Sequence, residues 1–286
     1  MPSLIDYRRR IRSVKNTQQI TKAMKMVSAA KLRRAQERVI AARPYANQLR
    51  EILMNLAAAA ASDPSASGSP WLVRREVKRI DLLFFTSDTG LAGAFNSNLL
   101  KAAKKFQDDN PGAEIHLITV GRKGRDFYRR RNGNILAEYI NILNRPTYQD
   151  AAGIAKESIR RYRDGETDAV YILNNEFKSV MSQKVSVAQL LPVELPEQET
   201  KDYIYEQPPV EMLDSLMPRY VEVAAFRAML ETVAAYQAAR MTAMDTASSN
   251  AKEVIDSLTL QMNRIRQAAI TKEIIEVVSG AASAAE

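Results

Sequence analysis

An uninterrupted heptad repeat near the C-terminus constrains the fold of this chain most strongly. Between residues 213 and 269, seventeen positions spaced alternately by three and four residues include fourteen apolar ones. No glycine occurs between Gly165 and Gly280, and no proline follows Pro218. Such a long seam is typical of a coiled coil. At 1.5 Å per residue, the roughly 60 residues from Pro218 would extend about 90–100 Å. Because an α/β domain is narrower than that, we expect this helix to project from its domain.

The N-terminal segment has the same helical spacing. Residues 3–60 contain one proline, Pro44, and no glycine. Apolar residues recur there at the intervals of one helix face, which predicts one long helix with Pro44 as the place of any bend. The residues on this predicted face are Leu4, Ile11, Val14, Ile20, Met24, Val27, Ala35, Val39, Leu49, Ile52 and Leu56.

Between the two helices, the pattern changes to alternating strands and helices. The segments "IDLLFFTSD", "AEIHLITV" and "DAVYILNNEF" are typical of buried strands, and helical segments separate them. This alternation predicts an α/β domain with a largely parallel sheet. A further strand, "QKVSVAQLLPV", follows "DAVYILNNEF" after a short polar turn, so we expect these two strands to form a hairpin. The predicted limits are an N-terminal helix at 1–60, a linker at 61–75, the α/β domain at 76–195, a connection at 196–207 and a C-terminal helix at 208–286.

The two long helices must cover each other. Each has an apolar stripe to bury, and nothing else in the chain is long enough to cover either one. One helix enters the α/β domain near Leu56 and the other leaves it near Pro208, so we expect them to pair antiparallel. In the resulting register, the numbers of paired residues sum to about 264, so Met24 lies near Arg240 and Leu4 near Leu260. About 25 residues from Gln261 onward would then overhang as a small, apolar tip that another protein must cover.

The distribution of charge narrows the choice of partner. Residues 1–50 hold thirteen lysines and arginines but only two acids, whereas the whole chain has a net charge of +8. A surplus confined to one segment implies an acidic partner, either nucleic acid or an acidic protein surface. Cysteine is absent and His116 is the only histidine, which argues against thiolate catalysis, zinc sites and histidine-based triads. No secretory signal is visible, and no apolar run approaches the ~20 residues that cross a bilayer.

Two glycine-containing loops are the only candidates for a phosphate site. The segments "SDTGLAGAFN" and "TVGRKG" each place glycines between a strand and a helix, where backbone amides can hold a phosphate. Neither contains G-x-x-x-x-G-K-[ST] or G-x-G-x-x-G, so tight turns are the favoured interpretation. Asp81 and Asp88 bracket a strand, but no general base can be assigned beside them. We therefore expect no cofactor, no metal and no catalytic residue.

Four stretches identify a family resemblance. "IRSVKNTQQITKAMKMVSAAKLRRAQ", "FFTSDTGLAGAFN", "AARMTAMDTASSNA" and "RQAAITKEIIEVVSGAAS" resemble the gamma subunit of F-type ATP synthases. The resemblance covers the whole chain. It implies a long antiparallel coiled coil, the shaft, formed by the N- and C-terminal helices, and a central Rossmann-like α/β domain that forms the foot. Many relatives have "GLCGGFN" where this chain has Ala92 and Ala94, so a thiol is not needed there.

The resemblance implies a non-catalytic rotor. The shaft would stand inside a hexamer of alternating alpha and beta subunits. The foot would sit on the ring of c subunits, beside the epsilon subunit, peripheral to the cytoplasmic face of a bacterial plasma membrane. Proton flow would turn the ring, and the shaft would drive the catalytic sites through different conformations. The alternative is a basic coiled-coil protein that binds nucleic acid. The absence of any zinc-finger, homeodomain-like or RNA-binding motif weakens that alternative.

The resemblance also implies contact residues. Arg240 matches an arginine that meets an acidic segment of a beta subunit, and Met24 lies at the same height in the predicted register. Arg266, Gln267 and Thr271 match residues that hydrogen-bond a beta-subunit loop. Without the resemblance, each would be an ordinary surface residue. The foot region near the c-ring and epsilon subunit is matched by Tyr203, Tyr205 and Glu206.

Overall fold

The computed structural model describes residues 3–61, 69–71, 75–193 and 205–284. The chain divides into two compact units: a helical unit, Met1–Ser28 with Met241–Glu286, and an α/β unit, Ala29–Arg240. These divisions fall inside both long helices, and the predicted domain limits stay a prediction. The elements are α1 (Leu4–Ala61), β1 (Arg79–Phe85), α2 (Phe95–Asp109), β2 (Glu114–Val120), α3 (Arg122–Arg129), β3 (Ile135–Tyr139), a 3₁₀ turn (Ile142–Asn144), α4 (Tyr148–Arg163), β4 (Ala169–Phe177), β5 (Gln183–Leu191) and α5 (Pro209–Ala284).

The five strands form one mixed sheet in the order β3-β2-β1-β4-β5. β1 pairs in parallel with β2 and β4, β2 pairs in parallel with β3, and β5 joins β4 as an antiparallel hairpin. The central strand β1 is almost wholly buried and reads RIDLLFF, as expected for a strand covered on both faces. The edge strand β5 is buried only at its end. The predicted α/β domain with a largely parallel sheet is confirmed.

Helices cover both faces of the sheet in the α/β unit. On one face, α2 and α3 pack through aromatic side chains. The rings of Phe106 and Tyr171 lie 5.0 Å apart, and those of Tyr128 and Phe84 lie 5.9 Å apart. On the other face, α4 packs together with this unit's segments of α1 and α5. The core on that face includes Leu53, Leu56, Leu83, Ile118, Ile154, Ile172, Leu213 and Met229.

Local sequence determines where two of the helices begin. At α4, the Thr147 hydroxyl accepts a hydrogen bond from the Asp150 N–H, and the Asp150 carboxylate accepts one from the Thr147 N–H, which completes a capping box. Before α3, Gly121 has a φ of +100°, and a β-carbon there would lie 2.4 Å from the Thr86 carbonyl oxygen. Only glycine fits such a turn, so the tight-turn interpretation of "TVGRKG" is confirmed.

In the helical unit, α1 and α5 run antiparallel. The Gln18 side chain donates to the Ser248 carbonyl over 3.3 Å, and the Lys25 ammonium lies 2.6 Å from the Asp245 carboxylate. The heptad positions of α5 from 241 to 269 are all buried or half-buried. The predicted seam of α5 and the predicted antiparallel pairing are therefore confirmed in this unit.

The predicted apolar face of α1 is wrong at Ile20 and Val27, whereas Met24 is half-buried as predicted. Ile20 and Val27 are 58% and 54% exposed, whereas Thr21 and Ser28 are buried. Steps of seven residues from Val14 reach Thr21 and Ser28. The seam of α1 therefore continues through these polar residues and not through the neighbouring apolar ones. The Thr21 hydroxyl donates to the Gln18 carbonyl of its own helix, so it enters the seam with its hydrogen bond satisfied.

The observed pairs in the helical unit depart from the predicted register by two and six residues. It would place Gln18 opposite residue 246 and Lys25 opposite residue 239, whereas their observed partners are Ser248 and Asp245. A heptad pattern repeats every seven residues, so hydrophobicity alone does not align two helices. Specific polar contacts decide the alignment. The predicted proximity of Met24 to Arg240 stays a prediction.

The end of α5 is exposed, as the sequence predicts for a tip. Residues 271–279 are all exposed. Five large apolar side chains within nine residues here are 48–72% exposed. Single exposed apolar residues are common on protein surfaces, but such a cluster is unusual. We call these five residues the apolar tip: Ile270, Ile274, Ile275, Val277 and Val278.

Two buried tyrosines make the α/β unit sensitive to alkaline pH. Burial raises the pKa of Tyr128 and of Tyr162 from 10.0 to about 12. The folded chain therefore keeps protons that the unfolded chain releases. The stability these tyrosines contribute is complete below pH 10 and is lost as pH rises toward 12, by about 2–3 kcal/mol for each tyrosine. Ultraviolet titration of phenolate absorbance should show a late-ionising group of tyrosines among the eleven.

The matched variant for this prediction is Tyr162→Phe. Within the described part of the chain, the Tyr162 hydroxyl is buried without a hydrogen-bond partner. Phenylalanine should therefore preserve stability at neutral pH and reduce the alkaline loss. A large loss of stability at neutral pH, or uniform ionisation of all tyrosines near pH 10, would contradict the assignment.

Candidate functional site

The strand order directs attention to the carboxyl ends of β1 and β4. The chain leaves β1 to one side through α2 and reaches β4 on the other side, so these two neighbours form the switch point of the sheet. Open α/β sheets bind ligands in the crevice outside this point. The loop "SDTGLAGAFN" follows β1 there. A nucleotide or other small ligand would be sought at this crevice first.

In this chain, α5 fills the crevice. The Glu231 carboxylate accepts a hydrogen bond of 2.8 Å from the N–H of Phe177, the last residue of β4. One and a half turns further along α5, the Tyr236 hydroxyl donates to the Gly90 carbonyl and bonds to the Thr89 hydroxyl in the loop after β1. The Tyr236 ring also makes an edge contact with Phe95 at the start of α2. Side chains of the long helix thus occupy the groups that would otherwise face a ligand.

A carboxylate of the chain itself occupies the start of α3. Asp88 accepts hydrogen bonds from the N–H of Arg122, the first residue of α3, and from the N–H of Asn141 after β3. The beginning of a helix attracts an anion because its free N–H groups carry partial positive charge. Asp88 already supplies that anion, so the start of α3 is not free to hold a phosphate.

A cavity of about 160 Å³ lies between the sheet and the helices of the α/β unit. Arg50 and Arg227 line it together with Glu176 and Glu231, so its cationic and anionic side chains balance. A phosphate or another strong anion would find no net positive field in such a cavity.

The single histidine belongs to a buried ionic cluster at the opposite, amino end of the strands. Asp81 is fully buried and lies 3.1 Å from the Arg161 guanidinium and 3.6 Å from the His116 ring. Burial raises the pKa of Asp81, while Arg161 opposes that shift. His116 also lies 3.4 Å from Glu114. His116 lies near the start of β2, and its neighbours belong to this structural cluster rather than to the crevice.

Arg240 has donors to spare. Its Nη1 donates to the Tyr236 hydroxyl over 3.3 Å, whereas its Nε is buried and, within the described ranges, has no hydrogen-bond partner. A buried donor without a partner is unfavourable. Met24, the other residue predicted at this height, is half-buried on α1 in the helical unit.

The remaining predicted contact residues lie apart from the crevice. Arg266, Gln267 and Thr271 are all exposed on α5, and the Thr271 hydroxyl donates to the Gln267 carbonyl of its own helix. Tyr205 is half-buried against the core of the α/β unit and Glu206 is exposed. Tyr203 lies outside the described residues.

Comparison with known proteins identifies the family. The family model described as ATP synthase matches residues 3–284. The ATP synthase gamma chain of Solibacter usitatus is 60% identical over 285 residues, covering 99% of this chain and 100% of that protein. The corresponding gamma chain of Desulfitobacterium hafniense is 49% identical over 284 residues, covering 99% of each. The chain belongs to the ATP synthase gamma chain family.

Solved structures agree with this family. The central stalk and c-ring structure of the Tetrahymena thermophila mitochondrial ATP synthase contains a chain with a TM-score of 0.64 and 26% identity. The match covers 80% of this chain and 99% of that one. A chain of the Euglena gracilis mitochondrial ATP synthase rotor has a TM-score of 0.67 at 17% identity, over 93% of this chain and 98% of that one, and supports the fold alone. Within the described ranges, no helix has both the length and the apolar composition of a membrane span.

Sequence analysis missed Glu231 and Tyr236, and it named Asp88 without assigning it a role. The first two lie in the heptad region, but neither occupies a seam position, so the repeat drew no attention to them. A signal was present, because Glu231 is a lone acid within the apolar run "AMLETVAAYQAA". An acid in such a run is expected to have a buried partner.

We expect no nucleotide to bind in the filled crevice. Calorimetric titration of the full chain with ATP and with NADH should give no saturable heat at micromolar concentrations. A dinucleotide-binding protein with a similar sheet, titrated in the same buffer, provides the positive control. A one-site isotherm with this chain would show that Glu231 and Tyr236 leave room for a ligand, and would revive an enzymatic function.

Proposed function

We propose that this chain is the central rotor subunit of an F-type ATP synthase, which transmits torque between the proton-driven c-ring and the catalytic alpha-beta hexamer. The observation that carries this proposal is the likeness to ATP synthase gamma chains over the full length, at 60% identity. The Tetrahymena match adds a likeness to a central stalk seen with its c-ring. The alternative of a nucleic-acid-binding coiled coil has no support from these relatives.

The chain itself catalyses no reaction in this proposal. Its switch-point crevice is filled by Glu231 and Tyr236, and Asp88 occupies the start of α3. ATP is made or hydrolysed by the alpha-beta hexamer, and this chain acts by contacting three copies of the beta subunit differently. A rotor that binds three states unequally can drive them in sequence.

The segments have separate tasks in the proposal. The shaft comprises residues 1–60 and 208–286, and the foot comprises the α/β domain at 76–195 with the connection at 196–207. The foot would contact the epsilon subunit and the c-ring through Tyr203, Tyr205 and Glu206. The whole chain would be peripheral to the cytoplasmic face of a bacterial plasma membrane, held there by its partners.

Acidic segments of the beta subunits are the proposed partners of the basic α1 and of Arg240. Arg240 is half-buried and offers a planar fork that suits carboxylates. A contact that forms and breaks at each step must be of intermediate strength. Partly desolvated charged hydrogen bonds contribute about 1.5–3 kcal/mol, which fits that requirement.

Truncation of the apolar tip tests assembly. The unaltered chain should co-purify from membranes with alpha, beta, epsilon and c subunits. Deleting residues 274–286 removes Ile274, Ile275, Val277 and Val278 and should weaken that association, because each buried side chain of this size contributes about 1.5–3 kcal/mol. The α/β unit should stay folded. Trp71 reports on it, because it is the single tryptophan and stacks on Tyr162 in the core.

Two outcomes would contradict this prediction. A change in Trp71 fluorescence in the truncated chain would show that the tip and the α/β unit fold together. Failure of the unaltered chain to co-purify with ATP synthase subunits would contradict the proposed function itself.

Substitutions at Arg240 and Met24 test coupling. Arg240→Ala should lower the turnover of ATP, because it removes the guanidinium that is proposed to pair with a beta-subunit carboxylate. It should not unfold the shaft. Met24→Lys adds a cation that should hold the acidic segment too firmly and lower proton pumping per ATP hydrolysed. Hydrolysis and pumping are measured together in vesicles. Met26→Lys, at an exposed site on the same helix, and Arg219→Ala, at an exposed site on α5, are the controls. Unchanged pumping per ATP in both variants, with normal assembly, would show that neither residue transmits torque.

A further inference from the structure

We infer that Glu231 and Arg43 form a joint that fixes α1 and α5 rigidly to the end of β4. This inference rests on the proposed rotor function and adds to it the place where torque passes between the long helices and the sheet. Glu231 acts as a positioning residue, because it holds two helices and a strand in one arrangement.

The joint is a closed set of hydrogen bonds among three elements. Glu231 on α5 is 1% exposed. Its two carboxylate oxygens accept from the Arg43 guanidinium of α1, Oε1 from Nε over 2.9 Å and Oε2 from Nη2 over 3.1 Å. Oε2 also accepts from the Phe177 N–H over 2.8 Å, and Arg43 Nη2 donates to the Phe177 carbonyl over 2.6 Å. The ion pair thus hydrogen-bonds both the N–H and the carbonyl of Phe177 at the end of β4.

A second contact between the helices repeats the register one turn away. Arg227 precedes Glu231 by four residues on α5, and Asn47 follows Arg43 by four residues on α1. The Arg227 guanidinium donates to the Asn47 side chain over 3.0 Å. Its Nε lies 3.8 Å from Glu231 Oε1. Two polar contacts at one-turn spacing prevent α1 from sliding along α5 in this unit.

A second attachment prevents α5 from turning about its own axis. Glu231 attaches the helix to the end of β4, and Tyr236 attaches it to the loop after β1. Five residues correspond to about 140° around an α-helix. Rotation of α5 that eased one attachment would break the other. The two attachments on neighbouring strands therefore hold the helix against torsion.

An ion pair suits this task better than apolar packing does. Burying two charges brings little net stability, and apolar side chains of similar volume often stabilise a protein as well or better. Directional hydrogen bonds, in contrast, specify one geometry. The Glu231 hydrogen bond raises the pKa of Arg43, so the arginine stays charged.

The test compares coupling in the complete ATP synthase, in membrane vesicles from cells whose own copy of the chain is replaced. Glu231→Gln keeps the side-chain shape but leaves the Arg43 charge unpaired. We expect pumping per ATP hydrolysed to fall at least threefold at normal subunit content. The loss should grow as the opposing proton gradient increases, because a loose joint yields under load.

A double substitution separates rigidity from stability. Arg43→Met with Glu231→Leu replaces the ion pair by apolar contacts. The melting temperature of the complex should then recover part of what Glu231→Gln loses, because no charge stays buried and unpaired although the Phe177 N–H loses its acceptor. Coupling under load should stay at least threefold low, because apolar contacts do not fix the helices to the Phe177 backbone. A merely structural role would restore coupling together with the melting temperature, and that result would overturn the inference.

The matched control is the buried ion pair at the other end of the strands. Asp81→Asn disrupts the contact of Asp81 with Arg161, which joins β1 to α4 and involves neither long helix. It should lower the melting temperature but leave pumping per ATP unchanged. Equal loss of pumping per ATP in Asp81→Asn and Glu231→Gln would overturn the inference that Glu231 and Arg43 form this joint. Failure of the unaltered chain to support ATP-driven pumping would instead overturn the proposed rotor function, and the joint with it.

Discussion

The antiparallel pairing of α1 with α5 is the interaction on which the rest of the structure depends. Each helix has an apolar stripe to bury, and no other segment of the chain is long enough to cover it. In the helical unit, the two segments cover each other along a narrow seam. In the α/β unit, both also pack on the sheet, and α5 is buried on nearly every face between residues 221 and 240. The sheet is therefore built around the helices as much as the helices are attached to the sheet.

This arrangement changes the chemistry of a familiar crevice. An open α/β sheet normally offers N–H groups at its strand ends and helix starts to an external anion. Here the anions belong to the chain, with Glu231 at the end of β4 and Asp88 at the start of α3. The geometry of a ligand-binding sheet is retained, whereas its anion sites are filled by carboxylates. The same groups that would recognise a phosphate instead hold a helix in place.

Much of the candidate site was beyond sequence analysis. The apolar tip and the exposed positions of Arg266 and Gln267 follow from composition and spacing. Glu231 and Arg43 are separated by 188 residues, and the local sequence around either residue does not indicate that the other is its partner. The polar seam residues Thr21 and Ser28 were likewise missed, because a search for apolar stripes favours the exposed neighbours Ile20 and Val27. Burial of a small hydroxyl depends on the partner helix, which a single stripe does not reveal.

The sequence by itself determined the two long helices, the alternating strands and helices between them, and the antiparallel direction of the helix pair. These features depend on periodicity and connectivity, which are local or follow from chain order. Only the tertiary structure decided the register, the identity of the seam residues in α1 and the filling of the crevice by Glu231 and Tyr236. A heptad repeat fits its partner equally well at every shift of seven residues. The choice among those shifts is made by a few directional contacts, such as Lys25 with Asp245 and Arg43 with Glu231, between segments that meet only in the folded chain.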